Sequence, residues 1–437
     1  EVGGLIADRP LDWSIMPIDP RAAEQWDPCH LVLCEVAAAA CRRAGYDPRN
    51  LPERRTGVYI GHSGGSTLGG ELAYRTLLTD YVDLLEDLPD WRCLDAATRQ
   101  GIREQLLQRM QAARPERQSD GRPMVDAGFA AGLISRAFGL CGPHMVIDAA
   151  CASSLVALAL SASALQSGQI DMAIVGGASF NKSDSLILFS HAQSCSARAS
   201  RPFDADADGL ISSEGYVVFL LKTLEKAQAA GDRIEAVIRG IGVSSDGRGR
   251  SLWAPRKEGQ QAAIQRAYFD DVTPDSVQLI EAHATSTQVG DATEMEALST
   301  FFRQRLKPGQ RIPVGSVKSN IGHTLETAGL AGMVKAILSI QRGIIPPSVN
   351  VERLNDSIDW NDIPLFVPQQ CQPWPQLPEG QPRRAAVNAF GIGGLNVHVV
   401  VDQYLNHLPA ARRPSQSSSP QSSSPQSSSP QSRSPQS

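Results

Sequence analysis

A layered α/β fold is what this sequence predicts, and three observations carry the prediction. Short β-branched runs alternate with helical stretches along most of the chain, which is the pattern of strands feeding helices. At 437 residues, 42% hydrophobic and 20% charged, the chain holds enough apolar material for one large core or two fused ones. No fixed internal period appears outside the tail, so a solenoid is not indicated.

In chain order, the alanine-rich stretch holding Cys34 and Cys41 reads as a helix, with both cysteines as core packing rather than ligands. Gly57 to Ile60 is the first strand. From about Ala73 to Arg117 the sequence is charged and Leu-spaced with little strand character, and reads as a helical insertion or surface flap. Met145 to Ile147 is a strand running into Asp148-Ala149-Ala150-Cys151. Residues 155 to 165 are apolar nearly all round, which predicts a helix buried on every side and ended by Gly168. Met172 to Val175, Tyr216 to Leu221, Ala236 to Val243, Val277 to Glu281 and Asn396 to Val401 complete the strands. From about Pro409 onward little but Pro, Gln and Ser remains, with proline at 420, 425, 430 and 435. Such a segment buries no core, so 409–437 reads as a disordered linker cut from a longer multidomain protein.

A formal net charge of −5 and a pI near 6.0 leave no basic footprint for nucleic acid. No apolar run reaches the roughly eighteen residues that span a bilayer, and the first residues lack the order of a secretory signal, so a cytoplasmic protein is expected. The eight cysteines form no Cys-x-x-Cys pair, which argues against a zinc site or a disulfide framework.

The chemistry centres on Cys151, placed where a strand-like run ends and an apolar helix begins. A helix start carries roughly half a positive charge and free N–H groups, so a thiol there is expected below its usual pKa of about 8.5. Two later histidines sit in their own motifs: His283 in His283-Ala284-Thr285-Ser286-Thr287, and His323 in Gly322-His323-Thr324-Leu325-Glu326-Thr327-Ala328-Gly329. One cysteine with two histidines points to covalent catalysis. Two other motifs compete. Gly61-His62-Ser63-Gly64-Gly65 fits the nucleophile elbow of a serine hydrolase or acyltransferase, although the rest of the chain supplies no such context. Asp204-Ala205-Asp206-Ala207-Asp208-Gly209 begins like a calcium loop, but its twelfth position is Gly215 rather than glutamate.

The three motifs, with Arg201-Pro202-Phe203-Asp204, Lys318-Ser319-Asn320-Ile321 and Asn388-Ala389-Phe390-Gly391-Ile392-Gly393-Gly394-Leu395-Asn396-Val397-His398, resemble those of β-ketoacyl synthases of the thiolase superfamily, over residues 10 to 402. The resemblance implies a thiolase-like five-layer αβαβα fold of two similar halves, 1–225 with the 73–117 insertion and 226–404, with an N-terminal strand-turn-helix piece apparently missing. It also implies an acyltransferase: a ketosynthase domain of a type I polyketide or polyunsaturated-fatty-acid-like multienzyme. Such a domain condenses an acyl-cysteine with a malonyl unit in a decarboxylative Claisen reaction. No metal and no bound cofactor are implied, since substrates arrive on the phosphopantetheine of an acyl carrier protein. Partners would be that carrier, the other domains of the multienzyme, and a second copy in a homodimer, with strands of the two copies paired across a two-fold axis.

On the same resemblance Cys151 is the nucleophile, and its N–H with that of Ile392 forms the acyl oxyanion hole. His283 and His323 serve the malonyl side, and Lys318 orients the second histidine. Phe390 and Ile392 gate the acyl channel, Gly393 lets backbone approach substrate, and Thr285 and Thr287 bond the pantetheine arm. Single-function relatives place a glutamate against the lysine where this chain has Gly332, so the partner of Lys318 is left open, as is the role of Glu326. Ala149, Ala152, Ala284, Ser286 and Leu395 depart from the commonest multidomain pattern and look more like iterative polyunsaturated fatty acid or enediyne-type synthases. Ala284 and Ser286 are expected to narrow the pantetheine approach. A non-condensing partner domain would typically lose the cysteine or a histidine, and all three are present.

Overall fold

The computed structural model describes residues 3–7, 9–23, 26–64, 77–113, 126–180, 183–249, 251 and 253–406. The linker expected at 409–437, and the flap's ends at 73–76 and 114–117, lie outside these residues. The elements that matter here are, in order, helix α1 (Pro28–Arg43), strand β1 (Thr56–Gly61), α2 (Ala96–Ala113), α3 (Gly128–Ala137), β2 (His144–Ile147), α4 (Ser153–Gln166), β3 (Met172–Ser179), β4 (Gly215–Leu221), β5 (Val237–Ser245), α5 (Lys257–Arg266), β6 (Leu279–Glu281), α6 (Gln288–Phe302), β7 (Ile312–Gly315), α7 (Ala328–Arg342), β8 (Ile344–Ile345), β9 (Leu365–Phe366), β10 (Gln372–Pro373), β11 (Arg384–Phe390) and β12 (Leu395–Asp402).

Two sheets face each other across a pair of helices. The first has the order β2-β1-β3-β4 and the second β5-β12-β11-β6-β7-β9, with β8 and β10 forming a separate ribbon. In the first sheet β2, β1 and β3 run parallel and β4 antiparallel. In the second, β7, β6 and β11 repeat that parallel trio and β12 repeats the antiparallel neighbour. The repeated order is the internal two-fold likeness expected of two halves. β5 then pairs antiparallel with β12, whereas among the described residues no strand pairs with the outer edge of β4, whose residues are all half-buried.

Helices α4 and α7 touch each other between the sheets, α1 and α3 cover the first sheet, and α5 covers the second with α6 packed beside it. Five layers result, with one core spanning the central helices and the inner faces of both sheets and one core on each outer side. The central core joins Leu155, Leu158 and Leu165 of α4 to Met333 and Ile337 of α7 and to Val387, Val397 and Val399. The outer cores gather around Leu33, Cys34 and Ile134 on one side and around Met295, Leu298 and Phe302 on the other. Cys34 and Cys41 are fully buried there, and burial pushes both thiols up to about 12.

Two expectations need correction. Helix α4 is not enclosed on every side, because Leu160 is 44% exposed and Ser163 and Gln166 open on the same stripe. Gly168, at φ +73°, does end it, its N–H bonding back to Leu165 O. Nor were all the strands visible in sequence: β7, which leads to the second histidine, is a four-residue run containing Pro313, and β11 carries Asn388 amid alanines, so neither has the alternation that marks a strand. In the described part of the flap, α2 packs against the short helix Leu78–Asp83.

Candidate active site

Ligands of parallel α/β sheets gather at the carboxyl ends of the strands, and this site follows the rule. Cys151 follows β2, His283 follows β6, Lys318 and His323 follow β7, and Phe390 to Ile392 end β11. The strand ends therefore bring together residues that lie far apart along the chain.

Cys151 lies in a 3-10 turn, Ala150–Ala152, that leads directly into α4. Ala150 is at φ +49°, a left-handed conformation that costs a non-glycine residue about 1 kcal/mol or more. The turn is held by its neighbours: Ala150 N–H donates to Asp148 Oδ1 at 3.0 Å, and Ser153 Oγ donates to Ala150 O at 2.6 Å. Cys151 Sγ and one ring nitrogen from each histidine lie within 4.8 Å of one another. His323 Nε2 is 3.1 Å from the sulfur, and the two imidazoles meet edge-on with centroids 5.6 Å apart.

The bonding of His323 fixes its proton. Its Nδ1 accepts the Leu325 N–H at 3.1 Å, so in the neutral ring the hydrogen is on Nε2 and points at Cys151. Cysteine with two histidines is a donor set that zinc uses, but a metal at Nε2 would need the proton on Nδ1, where an N–H donor already sits. His283 Nδ1 is buried with no hydrogen-bond partner among the described residues. Burial holds both histidines well below their ordinary range, helped by the Lys318 charge, so both are neutral at pH 7.

The thiol behaves opposite to expectation. Burial pushes Cys151 up to about 12; Lys318 and the N–H groups of Ile392 and of Cys151 itself pull it down, while Glu326 adds to the rise. The helix start is present, but the residue is 5% exposed and desolvation outweighs it. Burial likewise lowers Lys318, against the charges of Glu281 and Glu294.

Glu281 is the nearest answer to the partner left open for Lys318, acting on it through charge while its ion pair is to another lysine. It ends β6, accepts the Val317 N–H, and pairs with Lys335 Nζ at 2.8 Å. A Cβ on Gly332 would lie 2.9 Å from Glu281 Cγ, so the glycine at 332 and the acid at 281 are one arrangement. A second acid missed in the sequence is the buried Glu294, whose carboxylate accepts the N–H groups of His283 at 2.8 Å and Ala284 at 2.7 Å and the Asn388 amide at 2.7 Å. Asn388 in turn contacts His398 at 2.6 Å, and Tyr268 closes the chain at 2.9 Å. The signal was the i,i+3 spacing of Asp291 and Glu294, which puts both acids on the inward face of α6. Asp291 accepts the Phe203 N–H at 2.9 Å and so joins the Arg-Pro-Phe-Asp motif to the site.

The remaining expected residues fall as follows. Phe390 stacks obliquely on His283 at 5.9 Å, and Ile392 packs with Phe189, Leu210 and Leu325. Gly393 is at φ +102°, and a Cβ on Gly391 would lie 2.4 Å from Ala149 O, so the loop closes tightly on the cysteine turn. Thr285 and Thr287 touch through their hydroxyls at 3.2 Å. Thr287 is the N-cap residue of α6, yet its side chain makes no capping bond. Ala284 and Ser286 are both buried in the wall of the site. Ser286 is at φ +68° and its hydroxyl accepts the Arg201 N–H at 2.8 Å, which ties two motifs together.

Both competing motifs have other work. Ser63 Oγ donates to the Glu326 carboxylate rather than to an imidazole. Asp204, fully buried, accepts the N–H groups of Asp206, Glu352 and Arg353 and lies 3.9 Å from the Arg201 guanidinium, which uses its oxygens on backbone and on an arginine rather than on a metal ion.

Fold and site together define a thiolase-like, acyl-transferring domain. The chain belongs to the β-ketoacyl synthase family: the description "Beta-ketoacyl synthase, N-terminal domain" matches residues 1–227 and "Beta-ketoacyl synthase, C-terminal domain" residues 235–352. It is 36% identical over 406 residues to a phenolphthiocerol/phthiocerol polyketide synthase of Mycobacterium bovis, covering 92% of this chain and 20% of that one. It is 35% identical over 422 residues to polyketide synthase GfsB of Streptomyces halstedii, covering 96% and 7%. Among solved structures, the ketosynthase from module 6 of the bacillaene synthase of Bacillus subtilis 168 superposes with a TM-score of 0.74 at 31% identity, covering 90% of this chain and 63% of that one. A structure titled PfaC keto synthase-chain length factor gives 0.77 at 29%, covering 94% and 42%. The chain thus spans a fifth or less of these two polyketide synthases.

Proposed function

We propose that this domain extends an acyl chain held on Cys151 by decarboxylative condensation with a malonyl thioester carried on the phosphopantetheine of an acyl carrier protein. The observation that carries the reading is the Nε2–H of His323 held on the cysteine sulfur by the Leu325 N–H behind it. In the first stage the Cys151 sulfur attacks the acyl thioester, the pantetheine thiol leaves with the proton, and the N–H groups of Cys151 and Ile392 bind the oxyanion. In the second, malonyl thioester loses carbon dioxide. The enolate oxygen is held by the neutral imidazoles of His283 and His323, and its carbon attacks the acyl-cysteine and releases the sulfur. Lys318 keeps the field positive for both charges, Phe390 and Ile392 gate the acyl side, Gly393 lets the backbone close on substrate, and Thr285 and Thr287 receive the pantetheine arm. The chain reads as two halves, 1–225 and 226–404, the first bearing the 73–117 insertion and the whole followed by a 409–437 linker to other domains.

Strand β2 supports a homodimer. It is an edge of its sheet, His144 and Met145 are exposed, and its outer backbone, paired with no strand among the described residues, can pair antiparallel with a second copy. The cysteines are all free and no helix among the described residues is long and apolar enough to cross a membrane, which supports a reducing, cytoplasmic setting.

Intact-mass spectrometry with acyl thioesters tests the reading. Cys151→Ala loses the acyl adduct, Cys151→Gln keeps malonyl decarboxylation, and His323→Ala stops condensation. Acylation that persists in Cys151→Ala rejects the nucleophile.

A further inference from the structure

The two parallel trios end at the level of this site, and the mechanism uses four of their six strands. The other two, β1 and β3, deliver Ser63 and Ser179. Both hydroxyls reach Glu326, which stands three residues past His323 and is 5% exposed. Ser63 Oγ donates to one carboxylate oxygen, and Ser179 Oγ lies 2.7 Å from the other. Ser179 Oγ also lies 2.8 Å from Thr324 O and accepts the Thr327 N–H at 3.2 Å, while Thr327 Oγ1 donates to Gly215 O at 3.0 Å. The short turn Leu325–Thr327 is therefore bound at several points to the first sheet. Leu325 within it is at φ +42°, a conformation that leucine does not keep unless its surroundings impose it.

We propose that Glu326 is a positioning residue: by binding Ser63 and Ser179 it locks this turn so that the Leu325 N–H holds the His323 ring with its Nε2 proton on Cys151. The inference rests on the roles proposed above for Cys151 and His323. It also assigns the carboxylate a charge role: beside the neutral imidazoles of His283 and His323, the Lys318 charge favours a thiolate at the sulfur and the Glu326 charge adds to burial in opposing one.

Two variants separate position from charge. Glu326→Gln keeps shape and removes charge; Ser179→Ala keeps charge and removes a bond to the turn. In both, kcat for condensation falls about tenfold, less than the loss seen when an oxyanion donor is deleted outright, and KM changes by less than about twofold. Iodoacetamide alkylation of Cys151, followed against pH, moves about one pH unit lower in Glu326→Gln, which speeds labelling about tenfold at pH 7, and stays in place in Ser179→Ala. A merely structural role moves melting temperature without splitting the two alkylation profiles. Unchanged kcat in both variants, or coincident profiles, overturns the proposal. Failure of the wild-type protein to acylate at Cys151 overturns instead the function on which it rests.

Discussion

Replacing Glu281 with alanine probes how the buried charges balance. Its side chain is 1% exposed and its partner Lys335 14% exposed, so the variant leaves a mostly buried ammonium unpaired and the Val317 N–H without its acceptor. Breaking a buried pair from one side costs about 3–5 kcal/mol, and the residual exposure of Lys335 argues for the lower figure. With an unfolding entropy of about 2.1 cal/mol/K per residue, a domain of this size loses about 4 °C in Tm for about 3 kcal/mol. Glu281 is also the strongest charge opposing burial at Lys318, so its removal lowers the Lys318 pKa further and draws the alkaline limb of condensation to lower pH. Calorimetry on three variants provides the check. Gly332→Glu alone collides with Glu281 and is destabilised, whereas Glu281→Ala with Gly332→Glu returns a carboxylate to the vacated space and recovers at least half of the lost Tm. A melting temperature for Glu281→Ala within about 1 °C of wild type, or a double variant no better than the sum of the singles, refutes the reasoning.

Three further outcomes follow from the same contacts. Burial lowers His30 to about 4 and His398 to about 3, and holds His283 and His323 well below the ordinary value near 6.5. The unfolded chain therefore takes up protons first as pH falls; their stabilisation is full above about 6.5 and is lost toward 4, at up to about 1.4 kcal/mol per pH unit for each histidine. Asp291, raised to about 7 by burial, works in the opposite sense, as do Glu294 and Asp246, also raised by burial, so urea midpoints at pH 7.5, 6 and 5 fall by less than the four histidines alone would give. At Ser286, glycine relieves the φ +68° strain but loses the bond to Arg201, and alanine loses the bond while keeping the strain, so melting temperatures rank wild type, then Ser286→Gly, then Ser286→Ala. Gly391→Ala drives a Cβ to within 2.4 Å of Ala149 O and cuts acylation of Cys151 by about a hundredfold or more, measured by mass spectrometry at equal folded protein.

The strands and the apolar helix were readable because each is a local pattern of β-branched or apolar residues. The trio was readable because each member sits in a compact motif of its own. What escaped was decided by the fold. A sequence shows that Cys151 begins a helix, but not that five layers bury it, and burial is the larger effect on the thiol. Glu281, Glu294 and Glu326 look like ordinary surface acids until the strand ends meet, because their partners Lys335, Asn388 and Ser179 lie 54, 94 and 147 positions away.

The motifs share a feature that links their short sequences to the chemistry. Each has one non-glycine residue in the left-handed region beside its functional side chain: Ala150 before Cys151, Ser286 after His283 and Leu325 after His323. Each such residue costs about 1 kcal/mol or more and is restrained by a bond the fold supplies, from Asp148, from Arg201 and from the His323 ring itself. Reversing the backbone at these points turns N–H groups inward, toward the sulfur and toward Nδ1, instead of along the helix that follows. The strain thus accompanies the turns that set the cysteine and the His323 ring in place, and the tight sheet ends are what keep it from relaxing.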